Sequence, residues 1–275
     1  MSWNAKVSIV GAGNLGGALA AGLLRSGLVS AENLVAADRS AERLSSLRSE
    51  YGLTRTTEDN GEAVEGADVV VVAVKPHIVT AALEEIASRL EEDQLVISMA
   101  AAVPLSRIEA SLPEDQPVIR AMPNIAMTAG ASATTLCANE YATDEHRKAA
   151  LKIFEAVGVV EFVEEAQMHA VTALSGSGPA YALLLIEGLA AGGVKMGLTP
   201  AAAQNLAAQT LLGASKMALE SDLHPGALRD QVTTPGGTTI AGLHELELGG
   251  VRAALMSAVE AAAERSFELA QLLDD

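Results

Sequence analysis

The sequence predicts a doubly wound α/β domain built on a parallel sheet, followed by an all-helical domain. Three observations predict it. Short β-branched runs alternate with Ala- and Leu-rich helical patterns from Lys6 to about residue 164, the order that gives a parallel sheet flanked by helices. The first of these strands ends in Gly11-Ala-Gly-Asn-Leu-Gly16, the turn that opens the helix of a Rossmann-type unit. From Ala166 to Leu273 no strand pattern appears. The expected parts are a dinucleotide-binding domain over 1–164 and a helical domain over 165–275.

The elements follow in order. Lys6–Val10 is a short apolar strand, and the helix after it runs from about Leu15 to Arg25, closing at Gly27. Leu34–Ala37 is a second strand and Ala41–Glu50 a second helix. Asp68-Val-Val-Val-Val-Ala-Val74 is apolar on both faces, which suits a central strand covered on both sides. A helix over Ile78–Leu90, a strand over Leu95–Ser98, a helix near Leu105–Ser111 and a strand over Val118–Met122 complete the alternation. In the second half, helices are expected over about 166–196, 200–221, 225–231, 237–248 and 250–273. The Thr199-Pro200 pair marks one start, with Thr as the cap and Pro in the first turn.

Composition narrows the partners. The chain has 275 residues, 49% hydrophobic and only 3% aromatic, so its core is built from Ala, Val, Leu and Ile. A net charge of −17 repels nucleic acid and anionic membranes. An anionic ligand therefore needs a local pocket. Cys137 is the only cysteine, which excludes an internal disulfide and points to the cytoplasm. The first residues lead straight into a strand and read as no signal peptide. No apolar run approaches the roughly 18 residues of a membrane span. The histidines at 77, 146, 169, 224 and 244 show no metal-ligand spacing, so no metal is expected.

The glycine motif carries the first chemistry. Gly11 permits the tight turn, Gly13 lets a pyrophosphate approach the backbone, and Gly16 lets helix and strand pack closely. The helix that follows offers its first N–H groups to phosphate. About 20 residues on stands Asp38-Arg39-Ser40. An acid there suits the ribose hydroxyls of NAD, and an arginine suits the 2′-phosphate of NADP. Both are present, so the residues leave the preference open. Lys75, Met99 to Ala101 and Asn124 follow strand ends, where the ligand crevice of such a sheet lies. Lys75 reads equally as a surface lysine and Asn124 equally as a turn cap.

The helical half carries two unusual stretches. Leu174-Ser-Gly-Ser-Gly-Pro-Ala-Tyr181 sets small residues before a helix, with Pro179 opening or kinking it. Thr234-Pro-Gly-Gly-Thr-Thr239 is a bare, hydroxyl-lined turn before another helix. Glycines expose backbone N–H groups there, a way to hold a carboxylate without a cation.

These motifs, with Ala-Val-Lys-Pro at 73–76, Arg-Ala-Met-Pro-Asn at 120–124, Gly-Gly-Val-Lys-Met-Gly at 192–197 and His-Pro-Gly-Ala-Leu-Arg-Asp at 224–230, keep their order across nearly the whole chain. In this the sequence resembles the pyrroline-5-carboxylate reductases. The resemblance implies NAD(P)H-dependent reduction of the cyclic imine 1-pyrroline-5-carboxylate to L-proline, with NADPH the favoured cofactor and NADH the other. It implies that Val10, Gly11, Ala12, Gly13, Asn14, Leu15 and Gly16, with Ala73, Val74, Lys75 and Pro76, line the dinucleotide. Met99, Ala100 and Ala101 then lie near the nicotinamide. Asp38, Arg39, Ser40 and Asn60 fall at the ribose end, and Gln231 reaches the cofactor from the helical domain. Glu165, Thr238 and Thr239 are implied as substrate contacts; the bare turn itself adds Gly236 and Gly237 as the carboxylate grip, and places the Thr239 hydroxyl as the catalytic group expected to hydrogen-bond the ring nitrogen. The resemblance further implies a homodimer through the helical domains, with a decamer as the larger ring. Two departures stand out: Ala102 where the family commonly has glycine, and Ile125-Ala126 where it commonly has Thr-Pro.

Overall fold

The computed structural model describes residues 3–274. Short runs of β-branched residues make the centre of the sheet, because each side chain there is covered on one face or the other. The strands are β1 (Val7–Val10), β2 (Leu34–Ala37), β3 (Arg55–Thr57), β4 (Val69–Val72), β5 (Leu95–Ser98), β6 (Val118–Met122), β7 (Ser132–Ala138) and β8 (Gly158–Phe162). They form one sheet in the order β3-β2-β1-β4-β5-β6-β7-β8. Every neighbouring pair is parallel except β6 and β7. The two-residue period sorts the core. Ile9, Val71 and Ile97 enter one apolar layer, while Val10, Val70, Val72 and Val96 enter the other.

The five expected strands stand where the pattern placed them, and β3, β7 and β8 are additional. β3 is short and only partly covered, and β8 alternates exposed with half-buried residues at the sheet edge. β7 mixes Ser and Thr with Leu and Cys. None of the three has the unbroken apolar signature of a central strand. The antiparallel β7 makes the sheet mostly, rather than wholly, parallel.

The helices of the first half are α1 (Asn14–Ser26), α2 (Ala41–Tyr51), α3 (Asn60–Val64), α4 (Val79–Ala87), α5 (Leu105–Glu109) and α6 (Asp144–Glu155). They are followed by α7 (Met168–Val171), α8 (Gly178–Lys195), α9 (Pro200–Leu219), α10 (Pro225–Gln231), α11 (Thr238–Leu248) and α12 (Val251–Asp274). Thr199 caps α9 as expected, its hydroxyl accepting the Ala202 N–H at 3.3 Å with Pro200 in the first turn.

The single helix expected over 166–196 is interrupted. A 3-10 turn at Glu165–Gln167 leads into α7, and a π-helical turn at Thr172–Gly176 separates α7 from α8. The Ser177 N–H donates to the Thr172 carbonyl at 2.9 Å, five residues back. The Thr172 and Ser175 hydroxyls bond back to the Met168 and Val171 carbonyls at 2.7 and 3.1 Å. The break is thus made by the π turn, and Pro179 sits in the first turn of α8, where no donor is required of it. By length and composition the run Glu165–Lys195 is apolar enough to cross a membrane, which corrects the expectation that no such run exists. Ser, Gly and Pro break its apolar sequence without adding charge.

The chain forms two compact units by contact. One runs to Ser177 and resumes at Glu260; the other is Gly178–Val259. Position 164 thus lies inside the first unit. Met168 and Ala173 are fully buried there, and His169 Nδ1 lies 2.9 Å from the Ser266 Oγ of α12. In the second unit α8 packs on α9, with Gly193 against Ala203 and Leu198.

Candidate active site

The register of the parallel strands brings four strand ends to one rim. Gly11 N–H donates to the Ala37 carbonyl and Ala73 N–H to the Val10 carbonyl, both at 2.8 Å, and Met99 N–H donates to the Val72 carbonyl at 2.9 Å. The strand order reverses between β1 and β4, and the crevice beyond such a reversal is where ligands bind. Val10, Gly11, Ala73, Val74, Lys75, Pro76, Met99, Ala100 and Ala101 therefore share one rim. Lys75 is exposed and precedes the 3-10 turn Pro76–Ile78.

The glycine turn is built by close approach. Gly11 has φ +99°, and a Cβ on Gly16 would collide with the Gly11 carbonyl. Gly13 differs. A Cβ there would have within 4 Å only the Arg43 Nη1, at 3.9 Å, so its face is open. Gly13 is also the N-cap of α1 and supplies no side-chain acceptor. The first-turn N–H groups at Asn14 and Leu15 are left for an outside acceptor. An open glycine face beside an uncapped helix start fits a dinucleotide pyrophosphate.

At the end of β2 the Asp38 carboxylate accepts the Ala12 N–H and the Ser40 N–H, each at 2.8 Å, and pairs with Arg43 at 3.4 Å. Ser40 caps α2, accepting the Arg43 N–H. Arg39 is 84% exposed and lies 3.5 Å from Glu85 Oε2. Asn60 is buried and donates to the same Glu85 oxygen at 2.9 Å. The expected ribose-end residues thus cluster, and Arg43 and Glu85 join them. Neither was legible in the sequence, where Arg39 is the arginine that stands out beside Asp38.

Ala102 and Ile125-Ala126 both stand in turns just beyond strand ends. Ala102 is buried with φ 61°, the left-handed conformation that glycine adopts without strain. Asn124 is a cap: its Oδ1 accepts the Ala126 N–H at 3.0 Å and its Nδ2 donates to the Ser175 carbonyl at 2.9 Å. The cap serves the turn that begins at Ile125.

In the second unit the bare turn leads into α11. Gly236 has φ +68°, which admits glycine without strain. Gly237 is the N-cap with no side-chain cap, and its N–H donates to the Thr234 carbonyl at 3.0 Å. Thr238, exposed, and Thr239, half-buried, form the first turn of α11. Its first N–H groups have no intrahelical acceptor. Gly236 and Gly237 line a cleft of about 610 Å³ together with Arg229, Thr233 and His244. Arg229 lines this cleft but pairs with Asp230 at 3.4 Å, and Asp230 and Glu247 line it as well. Gln231 closes α10 and is exposed.

Glu165 belongs to the first unit. Its Oε1 accepts the Leu105 N–H at 2.6 Å and lies 3.2 Å from the Nη1 of Arg120, whose side chain is 3% exposed. The Arg120 Nη2 is buried with no partner. Cys137, opposite Arg120 on β7, is buried. Burial, aided by the Glu165 charge and opposed by that of Arg120, pushes its thiol up to about 11. It is a small core residue and no nucleophile. Among the described residues no group of three or more His, Cys, Asp or Glu is placed to hold a metal ion.

Known proteins match this architecture along its length. Residues 165–269 match the family model for pyrroline-5-carboxylate reductase dimerisation, and residues 6–102 match that for NADP oxidoreductase, coenzyme F420-dependent. The pyrroline-5-carboxylate reductase of Methanosarcina acetivorans is 47% identical over 97% of this chain and 98% of its own. That of Arabidopsis thaliana is 41% identical over 97% and 96%. The solved structure of the reductase of Coxiella burnetii superposes with a TM-score of 0.92 at 38% identity, covering 97% of this chain and 99% of that one. The Plasmodium falciparum enzyme, solved with NADP bound, gives 0.86 at 31% identity over 98% and 100%. The likeness in sequence and fold covers nearly the whole chain, and the chain belongs to the pyrroline-5-carboxylate reductase family.

Proposed function

We propose that the chain reduces 1-pyrroline-5-carboxylate to L-proline with NADPH, and with NADH as the weaker donor, as the last step of proline synthesis. The observation that carries the assignment of roles is the uncapped turn at 234–239. It presents glycine backbone and two threonines at the start of an eleven-residue helix, a donor set suited to one carboxylate. When bound, the reduced nicotinamide supplies the hydride. The chain's own residues do the rest. The first-turn N–H groups of α11 hold the substrate carboxylate. The Thr239 hydroxyl hydrogen-bonds the ring nitrogen, which must be protonated as the carbon accepts hydride. Glu165, fixed by Arg120 and the Leu105 amide, is the acidic contact assigned to substrate or product. Catalysis here is positioning and electrostatics.

On the cofactor side, residues 10–16 hold the pyrophosphate and residues 73–76 the middle of the dinucleotide. Residues 99–101 lie at the nicotinamide, and Asp38, Arg39, Ser40 and Asn60 at the ribose. Gln231 is the contact assigned to the helical half. Residues 165–275 serve as the substrate-binding and dimerisation part. The reading includes a homodimer through these helices and a decamer as the larger assembly. In support, α8 has no buried residue in the single chain, and Leu184, Met196, Leu219 and Leu248 are each at least two-thirds exposed, more apolar surface than a monomer sustains. A cytoplasmic home completes the reading, consistent with one buried cysteine.

The test follows absorbance of NADPH and of NADH with and without 1-pyrroline-5-carboxylate. Substrate-dependent oxidation with proline as product is expected. A folded sample that oxidises neither cofactor in the presence of the imine refutes the assignment.

A further inference from the structure

We infer that Arg43, rather than the acid at the end of β2, reads the adenosine ribose and selects the 2′-phosphorylated cofactor; this rests on the NAD(P)H reading above. The Asp38 side chain is only 10% exposed. Its two oxygens already accept the Ala12 and Ser40 N–H groups at 2.8 Å each. A carboxylate used in this way has little capacity left for a ribose diol. It acts instead as an anchor for Arg43, whose Nη1 lies 3.4 Å from Asp38 Oδ2.

That anchor sets the guanidinium between the glycine loop and the end of β2. Arg43 Nη1 is the one atom within 4 Å of the Gly13 Cβ position, at 3.9 Å. The side chain is 58% exposed. A guanidinium has five N–H donors in a planar fork. The contact to Asp38 uses one edge, and the others remain for a dianionic phosphate. Arg39 is less suited. It is 84% exposed and leans on Glu85, a carboxylate that also accepts from Asn60. With a net charge of −17 on the chain, the added dianion of the phosphorylated cofactor needs a local cation, and Arg43 is the cation held in place.

The test is equilibrium binding to the full chain without substrate, read by fluorescence. The probes are NADPH and NADH, with 2′,5′-ADP and 5′-AMP as fragments that differ in the 2′-phosphate. Arg43→Ala is expected to weaken NADPH and 2′,5′-ADP about tenfold or more, the loss of one charge-assisted contact. NADH and 5′-AMP are expected to change less than about twofold by the same reasoning. Arg43→Lys, which keeps the charge without the fork, is expected to fall between. If Arg43→Ala fails to melt cooperatively, Arg43→Gln against Arg43→Lys carries the same comparison. Equal weakening of both cofactors overturns the inference, as does a larger selective loss from Arg39→Ala than from Arg43→Ala. A chain that keeps the selectivity but leaves the imine unreduced refutes the reaction and spares this inference. A wild-type chain that binds NADH as tightly as NADPH refutes the inference whatever the reaction.

Discussion

The Asp38 carboxylate holds the Ala12 amide, its Oδ2 accepting that N–H at 2.8 Å across 26 residues of sequence. One side chain at the end of β2 thereby fixes the glycine turn after β1, so the conformation of the loop depends on a residue outside the motif. Asp38→Ala leaves the Ala12 and Ser40 N–H groups without their acceptor. A loss of about 1–3 kcal/mol is expected for such partly buried donors, together with weaker binding of both cofactors. Urea unfolding reads the first effect and cofactor titration the second. Unchanged midpoint and affinity would show that the loop holds itself.

Ala102 gives the opposite sign. An L-residue in the left-handed region carries roughly 1–2 kcal/mol of backbone strain, and Ala102 sits there, buried, just beyond the β5 rim. Ala102→Gly relieves that strain while widening the unfolded ensemble. A net gain of about 1 kcal/mol is expected, seen as a rise of roughly 2–4 °C in Tm for a chain of this size. Ala102→Val is expected to lower Tm, since branching at Cβ worsens the same clash. A fall in Tm for the glycine variant would mean that the surrounding packing needs the methyl group.

The contrast between these residues shows how much was legible in the sequence. The central strands could be read because Val69–Val72 is buried on both faces and must be apolar throughout. The glycine turn could be read because Gly11 and Gly16 meet steric demands of the turn itself, while Gly13 leaves an open face. β7 and β8 escaped because Thr134, Thr135 and Glu161 dilute the apolar signal that pairing alone stabilises. The π turn escaped because a bond from Ser177 to Thr172 leaves no trace in composition. At the site, the sequence located the rim and the bare turn. It did not show that Asp38 faces inward, that Arg43 is its partner, or that Arg229 lines the cleft. Those depend on side-chain direction and on chain segments far apart in sequence.

The bare turn separates its two roles by mutation. Gly236→Ala places a Cβ at φ +68°, a backbone conformation that alanine adopts only with strain. It is expected to raise KM about tenfold or more by distorting the carboxylate grip. Thr239→Ala leaves the backbone alone and removes one hydroxyl. Its expected effect is on kcat, about one to two decades, the loss of a hydrogen bond made to a charged group in the transition state. Thr239→Ser is expected to recover most of that loss. A Thr239→Ala enzyme with wild-type kcat and KM would remove the hydroxyl from the mechanism.

His169 ties the end of α12 to the first unit and makes that tie sensitive to acid. Its Nδ1 lies 2.9 Å from Ser266 Oγ, and its ring meets Phe267 edge-on at 5.5 Å between centroids. Burial, reinforced by the Arg120 charge and opposed by Glu165, holds the imidazole below its ordinary value of 6.5. The folded chain therefore binds this proton less readily than the unfolded chain. The stabilisation is fully present above the unfolded value and is lost as pH falls from about 6.5 through the depressed folded value. Ser266→Ala removes the hydrogen bond at every pH and is expected to cost about 0.5–1.5 kcal/mol. His169→Gln removes the titrating ring, so part of the stability lost between about pH 8 and about pH 5.5 should disappear with it. Urea unfolding of the wild type and both variants at the two pH values checks this. If His169→Gln loses as much stability on acidification as the wild type, the acid sensitivity lies in the carboxylates and the tie at Ser266 plays no part in it.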